Sequence, residues 1–121
     1  MEYIGPADLE AKNELLGNSM AMLFPIQWNE PFGLVMVEAM PCGTPVLAMP
    51  EGSVPEVVRD GTSGYICRSV KDMAKRVREL NFDPGSIRRY AEAEFSTERM
   101  VRGCVDLYKE AIAHSKVQKA A

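Results

Sequence analysis

The stretch at residues 29–46, NEPFGLVMVEAMPCGTPV, constrains this chain most, because Glu38 is the one charged side chain between Pro31 and Pro50. Desolvating an unpaired carboxylate costs several kcal/mol, so the fold has to supply Glu38 with a partner. Prolines at 31, 41, 45 and 50 interrupt the run, which excludes a transmembrane helix of roughly 20 continuous apolar residues. The pattern that remains is loop, buried helix, turn and buried strand. Glu30 lies eight positions before Glu38, at the mouth of the loop that opens the helix. Two carboxylates flanking a helix amino end suit a ligand rich in hydroxyls.

At 121 residues the chain holds one modest domain at most. A net charge of -3 offers no electrostatic case for nucleic acid or for an acidic membrane. The opening MEYIGPADLE has neither a basic n-region nor an apolar h-region, so no signal peptide is expected and the location is expected to be cytoplasmic. Cys42, Cys67 and Cys104 are odd in number and match neither a disulfide framework nor a metal site. Cys42 and Cys67 read as reduced core residues. The one histidine, His114, falls near the polar end of the chain, which argues against a histidine-based triad.

In chain order, Glu2-Tyr3-Ile4 reads as the end of a strand, and Asp8 as the cap of a helix through about Asn18. Residues 20–24, MAMLF, and 45–49, PVLAM, read as fully buried strands. A helix buried on several sides is expected from Phe32 or Gly33 to about Met40, closed by Pro41-Cys42-Gly43. A short helix over 55–59, a turn over 60–64 and a strand over 65–67 follow. Ser69 caps a helix to about Leu80. Two more helices cover about 86–94 and 97–113, with Ser96-Thr97 capping the last. Strands alternating with helices at this spacing point to an α/β, Rossmann-like parallel sheet with flanking helices over residues 1–113, and a frayed tail over 114–121. The methionines at 20, 22, 36, 40 and 49 read as core.

In an open parallel sheet, ligands bind beyond the carboxyl ends of the strands, where helices begin. The helix near Gly33 offers free N–H groups and a partial positive charge, both suited to phosphate. Gly33 lets an anion approach the backbone, and the amides of Leu34 and Val35 are the candidate donors. Glu30 and Glu38 are natural acceptors for vicinal sugar hydroxyls. A ligand with diphosphate in the middle and sugars on both sides is a nucleotide sugar. Taken singly, Glu30 also suits a solvated loop, Glu38 a carboxylate paired with arginine or backbone amides, and Trp28 a packing position.

Glu30, seven intervening residues and Glu38, in the form EPFGLVMVEAMPCGTPVLA, resemble the signature of retaining glycosyltransferases of the group 1, family-four type. The resemblance runs from about Tyr3 to Tyr108 and includes PEVVRDGTSGYIC and FSTERMVRGCVDLYKE. It implies part of the C-terminal, donor-binding domain of a GT-B fold. By that likeness Glu30 faces the donor sugar and supports charge developing at its anomeric centre. Phe32 and Gly33 present backbone amides to sugar and phosphate, Leu34 and Val35 bind the diphosphate, and Glu38 accepts from the ribose. The donor is a UDP-, GDP- or ADP-sugar, used as substrate, with no cofactor and no metal. The family's phosphate-neutralising Arg and Lys are expected upstream, and its acceptor site in an N-terminal domain or partner chain. The chain alone is therefore expected to be inactive, open to self-association, and peripheral to a membrane only through that other domain. The usual Pro-Ser before the first Glu is Pro25-Ile26-Gln27-Trp28-Asn29 here, and the usual Gly-Gly after the second strand is Gly52-Ser53. Two alternatives remain: a non-catalytic binding or interaction module on the same fold, and a related GT-B enzyme such as a nucleotide-sugar epimerase or a glycogen synthase-like protein.

Overall fold

The structure, a computed structural model, describes residues 2–120, with side chains through residue 115. Three short strands, β1 (Met22–Phe24), β2 (Val46–Ala48) and β3 (Gly64–Ile66), form one parallel sheet in the order β1-β2-β3. Helices connect them: α1 (Leu9–Gly17) precedes β1, and α2 (Leu34–Ala39) with a 3₁₀ turn (Met40–Cys42) joins β1 to β2. The four-residue α3 (Val54–Val57) joins β2 to β3. Then follow α4 (Val70–Val77), α5 (Pro84–Phe95) and α6 (Thr97–Ala120). The chain divides into two compact units, one ending at Ala91 and the other beginning at Glu92. The first holds the whole sheet.

The expected Rossmann-like parallel α/β layer is present, and β2 is its centre. Val46, Leu47 and Ala48 are all buried, each large apolar side chain contributing about 1.5–3 kcal/mol on burial. Leu47 packs with Cys67 and Met73 under α4, while Val46 and Ala48 point to the opposite face. Burial, reinforced by Asp72 and Asp60 and opposed by Arg76, pushes the Cys67 thiol above its usual range. This supports its reading as a reduced core residue.

The helix starts follow the side-chain caps expected of them. Asp8 accepts from the amide of Ala11 at 2.9 Å, Ser69 from Asp72 at 3.1 Å and Ser96 from Arg99 at 3.3 Å. Asp83 caps α5 through the amides of Gly85 and Ser86. The Ser86 hydroxyl, then those amides, hold its carboxyl below the ordinary range.

Several expectations are corrected. Residues 2–7 form no strand, and Tyr3 and Ile4 are exposed, because no described segment offers them a ladder. The run 20–24 is not a fully buried strand: Met20 is 76% and Leu23 52% exposed, since β1 is an edge and its outer face is uncovered among the described residues. Met20 is therefore not core, whereas Met36 and Met40 are fully buried. On α2 burial is confined to Met36 and Ala39, with Leu34 and Val35 exposed in the first turn. Cys42 is half-buried rather than core. The last helix runs to Ala120 instead of ending near 113, as nothing in the segment 114–120, HSKVQKA, breaks a helix. Side chains after residue 115, and with them most of the expected frayed tail, lie outside the described residues.

Gly64 sits where β3 meets β2, and a Cβ there would collide with the Val46 carbonyl and its flanking backbone. That contact cannot be relieved by a rotamer change. Gly64→Ala is expected to destabilise the first unit by about 3 kcal/mol, at the upper end for overpacking, read as a lower midpoint in urea unfolding.

Candidate functional site

The candidate residues lie beyond the carboxyl end of β1, where the chain leaves Phe24, turns through residues 25–33 and enters α2. The turn is gripped from the side by the loop that follows β2. Ser53 donates its amide to the Glu30 carbonyl at 2.9 Å, and Met49 donates to the Phe24 carbonyl at 3.3 Å. Gly52, at φ 56°, lies so close that a Cβ would collide with the amide and carbonyl of Glu30. The main chain of Glu30 is thus fixed by another main chain.

The Glu30 side chain is half-buried, and its Oε2 accepts from the Trp28 indole N–H at 3.2 Å. The Glu30 amide in turn donates to the Trp28 carbonyl at 2.9 Å. Trp28 is 65% exposed, so it is not a packing residue here; it orients a carboxylate. Gly33 begins α2 in the left-handed region, φ 71° and ψ 62°, where a Cβ would press on the Met36 side chain and approach Glu30 Cγ at 3.4 Å. The amides of Leu34 and Val35 fall in the first turn, where no preceding helical carbonyl can accept from them. Phe32 is 43% exposed at this mouth. Glu30, Phe32, Gly33, Leu34 and Val35 are therefore gathered at one helix entrance.

Glu38 lies further along α2. Its Oε1 accepts from Lys12 Nζ of α1 at 2.5 Å, with both side chains about one-third exposed. The partner demanded by an isolated carboxylate is thus a lysine 26 positions away, neither an arginine nor backbone amides. Lys12 and Glu38 line a groove of about 560 Å³ between α1 and α2, together with Leu9, Asn13, Val37 and Arg88. The Cys42 thiol donates to the Glu38 carbonyl at 3.5 Å. Glu56 is exposed on α3. The roles of Lys12 and Trp28 were missed in the sequence. For Trp28 a signal existed: an aromatic donor two positions from a carboxylate in a short polar loop.

Among the described residues, no group of three or more His, Cys, Asp or Glu is arranged to hold a metal ion, and no helix is long and apolar enough to cross a membrane.

The family model described as "Glycosyl transferases group 1" matches residues 1–96. Among curated proteins, the D-inositol 3-phosphate glycosyltransferase of Streptomyces bingchenggensis is 37% identical over 93 residues, covering 70% of this chain and 20% of that protein. The N-acetyl-alpha-D-glucosaminyl L-malate synthase of Bacillus anthracis is 33% identical over 123 aligned positions, covering 94% of this chain and 32% of that protein. The alpha-maltose-1-phosphate synthase of Mycobacterium tuberculosis is 34% identical over 99 residues, covering 69% and 26% respectively. The chain thus spans between a fifth and a third of the length of these relatives.

Trp28 is the only tryptophan, so its indole N–H is a single, assignable NMR probe of the Glu30 carboxylate. Glu30→Ala is expected to move that resonance upfield by loss of its acceptor. Gly52→Ala is expected to move it too, by displacing the Glu30 main chain. An unmoved indole resonance in Gly52→Ala would show that the loop after β2 does not set the position of Glu30.

Proposed function

The chain belongs to the group 1 glycosyltransferase family, and from that premise we propose that it is the donor-binding part of a retaining, family-four glycosyltransferase with the GT-B fold. The observation that carries this is the gathering of Glu30, Phe32, Gly33, Leu34 and Val35 at one helix entrance beyond the carboxyl end of a parallel strand, with Glu38 further along the same helix in a groove against α1. The substrate it holds is a nucleotide sugar with a UDP, GDP or ADP moiety, and the product is a glycosylated acceptor.

During transfer the bond from the anomeric carbon to the diphosphate oxygen breaks and its electron pair leaves with the phosphate, while the acceptor hydroxyl oxygen bonds to the anomeric carbon and its proton passes to the departing diphosphate. Positive charge develops at the anomeric carbon, and negative charge on the departing diphosphate. Glu30 faces the sugar and stabilises the first of these, as a fixed carboxylate does where water is excluded. Its fixed main chain and its indole partner suit it to this role, because a group that is already oriented need not reorganise as charge develops. The amides of Phe32 and Gly33 face sugar and phosphate, and those of Leu34 and Val35 receive the diphosphate. No metal is required of such a cradle. Glu38 accepts from the ribose hydroxyls.

On this reading the Arg and Lys that neutralise the leaving diphosphate lie upstream of these residues, and the surface that binds the acceptor lies in an N-terminal domain or a partner chain. This chain by itself therefore binds the donor without turning it over. Its uncovered β1 edge, with Leu23 exposed, is the face through which it associates with that domain or with a second copy.

Calorimetric titration with UDP, GDP and ADP and their sugar conjugates tests the assignment. Saturable binding of one nucleotide is expected, weakened about tenfold in Glu38→Ala by loss of hydrogen bonds to a charged acceptor. Absence of binding by any of the three at millimolar concentration would overturn the donor-site assignment for this chain.

A further inference from the structure

We propose that Lys12 is a positioning and specificity residue for the ribose, acting with Glu38 as one unit that reads a hydroxyl as both donor and acceptor. This rests on the assignment of Glu38 to the ribose and extends it to a residue on a different helix. A glutamate on a helix surface samples several rotamers, and holding it in one costs side-chain entropy that binding would otherwise have to supply. Lys12 Nζ already holds Oε1 of Glu38. The same carboxylate keeps further lone pairs, including both on Oε2, because each oxygen can accept twice.

The lysine also has capacity beyond this bond. An ammonium carries three N–H donors, and the pair to Glu38 uses one of them. Both side chains are about one-third exposed and line the same groove between α1 and α2. A ribose hydroxyl entering there donates a hydrogen bond to the Glu38 carboxylate and accepts one from Lys12. A nucleotide lacking that hydroxyl leaves both groups of the pair short of a partner. Such a site discriminates against the deoxy analogue more strongly than an apolar pocket does against a missing methylene.

The groove walls offer a sugar and base both apolar and polar contacts. Leu9 and Val37 supply apolar surface, and Asn13 adds a neutral polar group. Arg88, the other cation on the groove, directs its Nε to the Pro41 carbonyl at 2.7 Å. The charge of Lys12 is balanced by Glu38, so the pair as a whole presents hydrogen-bonding capacity with little net charge.

Titrations of the full chain with UDP, GDP and ADP, and with the 2′-deoxy and 3′-deoxy forms of whichever binds, test this in the native protein, Lys12→Met, Lys12→Arg and Glu38→Ala. The native chain is expected to prefer the ribonucleotide over at least one deoxy form by about tenfold, the size of one lost charge-assisted hydrogen bond. Lys12→Met is expected to bring that preference to about twofold or less, by loss of one half of the pair, while Lys12→Arg retains most of it. A thermal midpoint near the native one in each variant shows that folding is intact. Equal weakening of ribo and deoxy ligands in Lys12→Met, with the preference unchanged, would mean that Lys12 is merely structural and would overturn the inference alone. If no diphosphate binds the native chain, or if the ribo preference survives Glu38→Ala, the assignment of Glu38 itself falls and this inference falls with it.

Discussion

The contact on which the site depends is between two main chains. The loop leaving β2 reaches across to the loop leaving β1, with Gly52 against the backbone of Glu30 and the Ser53 amide on the Glu30 carbonyl. Both loops emerge from a parallel pair whose register, Phe24 opposite Ala48, brings their exits side by side. Since β2 is buried throughout and is also paired to β3, the position of Glu30 is referred through hydrogen bonds to the buried central strand of the sheet. A carboxylate placed in this way is held by main-chain contacts as well as by the packing of Ile26, the buried residue of its own loop. It also explains why a short loop carrying an exposed tryptophan can still hold a defined geometry.

Glu38 is held by a different principle. Its main chain lies within α2, and its side chain is fixed by Lys12, a residue of another helix. A partly exposed ion pair of this kind contributes little to stability, typically about 0–1 kcal/mol. On the proposed reading its value lies in orientation and in hydrogen-bonding capacity at the groove. The two glutamates of one signature are therefore supported unequally: the first by backbone geometry that only glycine at position 52 allows, the second by a side-chain pair. Variation around Glu30 is limited by shape, whereas variation around Glu38 is limited by charge.

Much of this was legible in the sequence, for identifiable reasons. Local signals translated directly: Asp8, Ser69 and Ser96 cap the helices expected after them, because a cap is decided within four residues. The apolar run at 46–48 became a buried central strand, and the glycine and proline punctuation located the turns. The site was legible as a cluster, since 30, 32, 33, 34 and 35 are neighbours in the chain. What failed were properties set by distant residues. The run 20–24 is as apolar as 45–49, yet its strand is an edge with Leu23 exposed, and periodicity does not tell an edge from a centre. The lone carboxylate announced that it needed a partner, but nothing local identified Lys12, because the pairing depends on how α1 and α2 pack.

That difference bears on how the signature itself should be understood. The spacing of eight between Glu30 and Glu38 is not one helical repeat: Glu30 precedes the left-handed Gly33, and Glu38 follows it within α2. The interval therefore spans a turn and a helical segment, and it places one carboxylate in the loop and the other within the helix. Shortening either part would move both the amides of the first turn and Glu38 relative to Glu30. The left-handed geometry at Gly33 couples them, since it fixes the direction in which α2 leaves a loop held in place by the loop after β2. The signature is best read as a hinge-free corner built on the sheet, with acceptors on either side of a row of donors. On the proposed reading, that order along the chain answers the alternation of hydroxyls and charge in a nucleoside diphosphate sugar.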